Sequence, residues 1–318
     1  MVDVITMGEA LIDFVPTESG LPLAEVNNFY RRFGGAPANV AVGLGKLGEE
    51  VGFIGKVGED SFGDYLEREF RENGVDVSGL RKTREANTTL AFVSLTEAGE
   101  RDFAFYRNPG ADELLTEDEI DEEYIASSKF LHFGSLSLTR KESREATVKA
   151  VRCAKRHGVT VTMDPNLRAD LWEDEDKLKK TVKELLPEVQ VVKLSEEEAL
   201  FLTESSGLEA ATNEILTEGP KLVVATRGEK GCLLNFHGSV HRIGGHQVDV
   251  KDTTGAGDGF MAGGLHKLIQ LNGNLEGLTE TNVLDAVEFG NAVAAMTTTD
   301  YGATSSFPNR EEVNRFTS

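Results

Sequence analysis

The stretch DTTGAGDGF, Asp252 to Phe260, sets three glycines and two aspartates in nine residues. It runs into MAGGLHKLIQL, a helical pattern with small residues on one side, so Gly255, Ala256 and Gly257 fall at a helix amino terminus. Amide N–H groups there have no partner within the helix and point outward, and glycine lets a ligand come close. Such a turn makes an anion pocket. Asp258 sits in its mouth. Beside a bound phosphate it would accept the proton of an attacking hydroxyl. Without one it is a favourable helix-dipole partner in a tight turn. The spacing alone fits both readings.

A second glycine-rich turn is FGGAPANVAV. Gly34 and Gly35 free the backbone, Pro37 suits the first turn of a helix, and Asn39 offers a donor and an acceptor. That combination suits sugar hydroxyls, or a simple capping turn. The nearby GLGKLG, Gly43 to Gly48, matches a dinucleotide fingerprint but follows a helical pattern rather than a strand, so packing and a C-cap at Gly48 are expected. No G-x-x-x-x-G-K-[ST] phosphate loop is present.

The elements that must carry these turns are read from the apolar pattern. Strand-like runs VDVITMG, VGFIGKVG, KFLHFGS, GVTVTMDPN, VQVVKLS and KLVVATRGEKG each end in Gly, Ser, Asp or Asn. Helical stretches such as SREATVKAVRCAKRHG, Ser143 to Gly158, lie between them. This rhythm predicts an α/β fold with a mostly parallel sheet covered on both faces. Ligands then sit beyond the carboxyl ends of the strands, which draws attention to MDPN and KLS. The segment NTTLAFVSLTEAGERDFAFY, Asn87 to Tyr106, alternates apolar and polar residues about TEAGE and predicts an antiparallel hairpin. Residues Leu11 to Phe33 are short of helix and are expected to pair with it.

Composition narrows the function. At 318 residues there is ample length for a core, and no apolar run approaches the ~20 residues of a membrane span. The opening MVDVITMGEALIDF lacks a basic region and does not read as a signal peptide. Two cysteines, Cys153 and Cys232, make no disulfide framework, so a reducing cytoplasm is expected. A net charge of −21 disfavours nucleic acid and anionic membranes as partners. The acidic run TEDEIDEEY, Thr116 to Tyr124, reads as a solvated helix start, and the remaining histidines and Trp172 as structural.

GGAPANVAVGLGKLGEEVGFIGKVGEDSFGDYL (Gly34 to Leu66) and DTTGAGDGFMAGGL (Asp252 to Leu265) resemble the two signatures of the ribokinase-like, or PfkB, carbohydrate kinases. EFGNAVAAMTTTDYGATSSFP near the carboxyl terminus is similar too, so the resemblance covers essentially the whole chain. It implies a three-layer sandwich of one domain, residues 1–318, with a small β-stranded lid from segments near 11–34 and 86–111. It implies ATP-dependent phosphorylation of a sugar, with Asp258 as the base and the amides of Gly255, Ala256 and Gly257 as the anion hole. Asp13, Gly34, Gly35 and Asn39 match sugar-holding positions. Thr226, Gly228 and Gly231 in TRGEKG, with Asn291, match the nucleotide side. Asp252, Thr254, Gly302 and Ser306 align with a monovalent-cation loop, which makes potassium a candidate. The family's N-x-x-E near magnesium reads here as Ser195 and Glu198, with Ser195 in the asparagine's place beside the nucleotide. Glu196 and Glu197 are expected to be solvated.

Within that family, GGAPANVAVG with MDPNLRADLW looks most like the bacterial fructokinases, and Ala36 stands where ribokinases usually carry a lysine. Arg31, Arg107 and Arg168 are available for a charged substrate, with Arg107 and Arg168 the candidates for sugar contact, so kinases for 2-keto-3-deoxygluconate and 5-dehydro-2-deoxygluconate stay open beside ribokinase. A non-catalytic sugar or nucleotide sensor is the reading from another class. The apolar LAFV of the hairpin suggests a homodimer through the lid strands. The charge of −21 carries its own prediction: salt screens self-repulsion, so the melting temperature should rise from low salt to several hundred millimolar. A flat or falling curve would remove the idea.

Overall fold

The computed structural model describes residues 2–18, 20–95, 101–271 and 275–318. In chain order the first strands are β1 (Val4–Met7), β2 (Leu11–Pro16), β3 (Phe29–Gly34), β4 (Val51–Gly58), β5 (Val75–Thr83), β6 (Leu90–Leu95) and β7 (Arg101–Tyr106). They are followed by β8 (Phe130–Phe133), β9 (Thr160–Met163), β10 (Val191–Ser195), β11 (Leu222–Thr226), β12 (Cys232–Phe236) and β13 (Ser239–Ile243). The helices are α1 (Ala36–Leu47), α2 (Ser61–Glu72), α3 (Glu122–Ala126), α4 (Lys141–Arg156) and α5 (Glu175–Leu185). Then come α6 (Glu196–Thr203), α7 (Leu208–Thr217), α8 (Ala256–Gln270), α9 (Glu280–Thr297) and α10 (Arg310–Phe316).

The large sheet has the order β13-β12-β11-β10-β9-β8-β1-β4-β5, parallel from β5 through β11, with β12 and β13 antiparallel at one edge. Its central strands are apolar on both faces, and β4 is buried at all eight positions, as a strand covered on both sides requires. Alternate residues supply two cores. Val4 and Phe130 share one with Leu44, Phe70, Leu265 and Val293 of the helices α1, α2, α8 and α9. Ile5 and Leu131 share the other with Val151, Leu178, Leu202 and Ile215 of α4 to α7. Each side chain so buried contributes about 1.5–3 kcal/mol. Helix, sheet, helix is the three-layer arrangement expected. No helix among the described residues is long and apolar enough to cross a membrane.

Because β1, β9, β10 and β11 run parallel, their carboxyl ends open on one edge. Glu9, Asp164, Ser195 and Thr226 therefore come out on the same side, where the amino ends of α1 and α8 also lie. The helix α1 starts after Gly35 (φ +101°), carries Pro37 in its first turn, and stops at Gly48 (φ +91°). GLGKLG thus packs and caps: a Cβ on Gly43 would come within 2.8 Å of the Ala262 methyl of α8.

The second sheet has the order β3-β2-β6-β7. The expected hairpin pairs Leu90 with Tyr106, and the 11–33 segment joins it through β2 alongside β6. The turn at TEAGE, residues 96–100, lies outside the described residues. LAFV does not form an exposed apolar face. Ala91 and Val93 are buried, and the Phe92 ring stacks on Phe14 at 4.9 Å. Alternation placed the strand, but the side it hides depends on the second sheet. Nor is TEDEIDEEY wholly solvated: Glu119 accepts a 2.8 Å hydrogen bond from the buried ammonium of Lys56.

Candidate active site

The loop before the Gly255–Gly257 turn is shaped by one carboxylate. Asp252 accepts from the Thr254 amide at 2.9 Å and hydroxyl at 2.6 Å, and from the Gly302 amide at 2.8 Å. This folds the loop back so that Gly255, at φ +76°, opens α8. A Cβ there would meet the Ala303 methyl at 2.5 Å, so the turn requires glycine both for its backbone and for space. The Ala256 amide donates to the Thr253 carbonyl at 3.3 Å, while Gly255 and Gly257 line the inner cavity and Ala256 and Gly257 the outer one.

Asp258, in that first turn, is buried and accepts from Asn39 Nδ2 of α1 at 2.8 Å. Burial lifts its pKa to about 6; the Asn39 donation and the charges of Lys193 and Arg168 pull it down, and that of Asp164 pushes it up. A carboxylate so placed still ionises at neutral pH but is a stronger base than an exposed one.

Two cavities meet at this turn. The inner one, about 590 Å³, is lined by Asp13, Gly35, Asn39, Arg168 and Asp258. Gly34 does not line it but packs beneath Asp13, where a Cβ would run into the carboxylate. The outer one, about 810 Å³, is lined by Thr226, Gly228, Gly231 and Asn291, the last held by donating to the Gly244 carbonyl at 2.8 Å. Thr253 and Gly257 line both.

Three residues of the inner cavity are given no role by the sequence reading, although two of them, Asp164 and Lys193, lie in the MDPN and KLS strand ends. Lys193 projects from β10, with its ammonium 2.7 Å from Asp164 Oδ2 and 2.7 Å from where a Cβ on Gly257 would be. Burial opposes its charge, but Asp164 and Glu198 outweigh that and hold the pKa above its ordinary value. Asp164 lies just past β9, and its Oδ1 is buried without a hydrogen-bond partner. Glu9 accepts from the Ala36 amide at 2.9 Å, and burial raises its pKa to about 7. The available signal was a charged residue inside or just after an apolar strand, as in VVKLS and TMDPN.

Other expected residues sit differently. Arg107 is a correction: its side chain is 2% exposed and lines neither cavity. It donates to Asp112 at 2.6 and 2.9 Å, to Thr139 and to the Leu136 carbonyl, so its donors are spent on a buried ion pair. Ser195 lines the inner cavity rather than the outer one and caps α6, accepting from the Glu198 amide at 3.1 Å. Glu198 accepts from the Ser195 and Leu167 amides at 2.8 and 2.6 Å. Glu196 is not simply solvated, since Arg227 reaches it at 3.3 Å.

Among the described residues no three His, Cys, Asp or Glu side chains converge as a metal site. A divalent ion here would take most ligands from phosphate and water, with the unpartnered Asp164 Oδ1 and Glu198 as carboxylate oxygens of fitting chemistry. Asp252, Thr254, Gly302 and Ser306 do converge: Ser306 Oγ donates to the Gly302 carbonyl, and Gly302 to Asp252. Their oxygens are hard donors, suited to an alkali cation.

The model of the pfkB family of carbohydrate kinases matches residues 1–310, and the chain belongs to that family. Among curated relatives it is 43% identical to the probable chloroplastic fructokinase-6 of Arabidopsis thaliana, over 98% of this chain and 81% of that protein. Among solved structures it superposes on the ATP-bound fructokinase of Xylella fastidiosa with a TM-score of 0.90 and 32% identity, covering 99% of this chain and 98% of that one. A double mutant of the Vibrio cholerae O395 fructokinase, with fructose, ADP and potassium ion bound, gives 0.89 and 33% over 99% and 98%. The fructokinase likeness therefore extends to plant as well as bacterial proteins.

The raised pKa of Asp258 predicts the acid limb of activity. Only the ionised form takes a proton, so kcat/KM for the sugar should fall about tenfold per pH unit below about 6 and level off above it. Asn39→Leu removes the donation that lowers this pKa and should move the limb upward. A limb near pH 4 in the wild-type chain would contradict the assignment.

Proposed function

We propose that this chain transfers the γ-phosphoryl group of ATP to O6 of D-fructose, giving fructose 6-phosphate and ADP. The observation that carries the reaction type is the place of Asp258: a buried carboxylate at a helix amino terminus where a sugar-sized cavity meets a nucleotide-sized one. Fructose follows from the relatives and from Ala36, which offers the sugar turn no charge.

Fructose occupies the inner cavity, its hydroxyls held by Asp13, Asn39 and the backbone at Gly34 and Gly35. O6 gives its proton to Asp258 as the O6–P bond forms and the bond from Pγ to the β,γ-bridging oxygen breaks. The amides of Gly255, Ala256 and Gly257 receive charge on the transferring group, and Lys193 adds a cation beside Gly257. Asp13 and Asn39 position the sugar, and Asp164 holds Lys193; little covalent work falls to the protein. Magnesium supplies neutralisation of the phosphate charge when bound with the nucleotide. Thr226, Gly228, Gly231 and Asn291 hold the nucleotide, while Ser195 and Glu198 shape the wall of the inner cavity. Arg168, on the inner cavity, faces the sugar or the phosphates. Asp252, Thr254, Gly302 and Ser306 would hold potassium, whose charge would steady the loop behind the Gly255–Gly257 turn.

The second sheet acts as a lid, segments 11–34 and 86–111, that excludes water from the sugar. Two chains pair through it, at the exposed ring of Tyr106 (66%), which shares its face of the sheet with Phe14, Phe29 and Phe92. Sedimentation of a species with the mass of one chain only would remove the dimer. ATP and two free buried cysteines suit the cytoplasm.

The test is ADP release over a panel of sugars, with kcat/KM highest for D-fructose. A preference for ribose, or for a keto-deoxy acid paired with Arg168, would refute fructose and leave the kinase intact. Asp258→Asn keeps size and much of the hydrogen bonding but cannot take the proton, so kcat should fall roughly 10²–10⁴-fold with sugar and ATP affinity retained. Retention of more than about half of kcat, with chemistry rate-limiting, would show that Asp258 is not the base.

A further inference from the structure

The helix α1 ends in a contact that the reaction scheme does not use. Asn39 stands near its amino end. Lys46 stands at the other end, half-buried, and donates from Nζ to the carbonyls of Thr304 at 2.6 Å and Phe307 at 3.3 Å. Both belong to the turn over residues 302–307. Glu312 of α10 is the acid whose charge favours the ammonium against its burial.

That turn backs the anion hole. Ala303 and Phe307 are 5% and 4% exposed. The Ala303 methyl presses on Gly255, and the Phe307 ring lies 3.3 Å from the Cβ position of Gly259 and 3.4 Å from that of Gly43. One end of the turn is held by Asp252 through the Gly302 amide. Within it, Ser306 Oγ donates to the carbonyls of Gly302 and Ala303. The Thr304 and Phe307 carbonyls converge on Lys46. An ammonium offers three donors and a full charge, so it gathers two carbonyl dipoles in charge-assisted bonds.

We infer that Lys46 is a positioning residue for phosphoryl transfer: a cation tethered to the end of α1 that seats the 302–307 turn against Gly255 and so fixes the anion-hole amides. The inference rests on the kinase reading of the Gly255–Gly257 turn. It makes α1 a strut with a working contact at each end, Asn39 on Asp258 and Lys46 on the turn behind it. The tethered ammonium and a potassium ion at Asp252 would act on opposite ends of one turn, so losing the first increases the demand for the second.

The experiment compares wild type, Lys46→Gln and Lys46→Arg in the full chain, by kcat, sugar KM and potassium titration well below the melting temperature. A displacement of about 1 Å costs roughly 10²-fold in rate, so Lys46→Gln should lower kcat by about 10- to 100-fold. Sugar KM should move less than about threefold, because the loss lies in the transition state. Raised potassium should recover part of the loss, and Lys46→Arg, which keeps the charge, most of it. Ala303→Gly, which removes the methyl pressed on Gly255, should lower kcat several-fold in the same pattern, and it decides the matter should Lys46→Gln not fold. A merely structural Lys46 would lower the melting temperature and leave kcat, and that result overturns the inference, as does unchanged kcat in Ala303→Gly. If the wild-type chain phosphorylates no sugar, the kinase reading itself fails. If it does and Lys46→Gln keeps its kcat, only this inference falls.

Discussion

The hydrogen bond from Asn39 to Asp258 joins the amino ends of two helices at one point. The helix α1 brings the Gly34–Gly35 turn, and α8 brings the Gly255–Gly257 turn. Their separation sets where a sugar hydroxyl and a phosphate stand relative to the carboxylate between them. The same bond moderates the burial of Asp258. Without the donor, desolvation would push the carboxyl further toward its neutral form and leave less of it ionised to accept a proton. On the proposed function, sugar holding, proton acceptance and anion binding would all depend on the mutual placement of two helix ends.

That placement is secured by small residues away from the chemistry. A Cβ on Gly43 would press on Ala262, one on Gly259 on Thr297 and Phe307, and one on Gly263 on Val293 and Gly290. The helices α1, α8 and α9 approach closely through these gaps, which fixes their axes by contact rather than by loops. MAGG, an apparently featureless run after the catalytic turn, is what lets α8 settle between its neighbours.

Much of this was legible in the sequence, for physical reasons. Glycines beside a helix start leave a compositional trace, and apolar runs ending in Gly, Asp or Ser mark parallel strands, so both turns and the sheet could be read directly. Asp164, Lys193 and Glu9 were not, because a single charged residue in a buried strand has no periodicity of its own. Its meaning comes from a partner on another strand, as the Lys193–Asp164 pair shows across 29 positions of chain. Arg107 fails the same way in reverse: a cation near a binding region reads as a ligand until Asp112 is seen to occupy it. Ser195 reads as a ligand by alignment and turns out to serve a helix start as well. The LAFV strand was placed correctly but its face was not, since the rings packed against Phe92, those of Phe14 and Phe29, come from a distant segment.

Among the described residues the two cavities share only Thr253 and Gly257 in their walls. A sugar seated in the inner one leaves the outer one free, and a nucleotide in the outer one leaves the sugar turn free. On the proposed reaction the phosphoryl group would cross at that one glycine while both berths are filled, and the border they share at Gly257 carries no side chain to move aside.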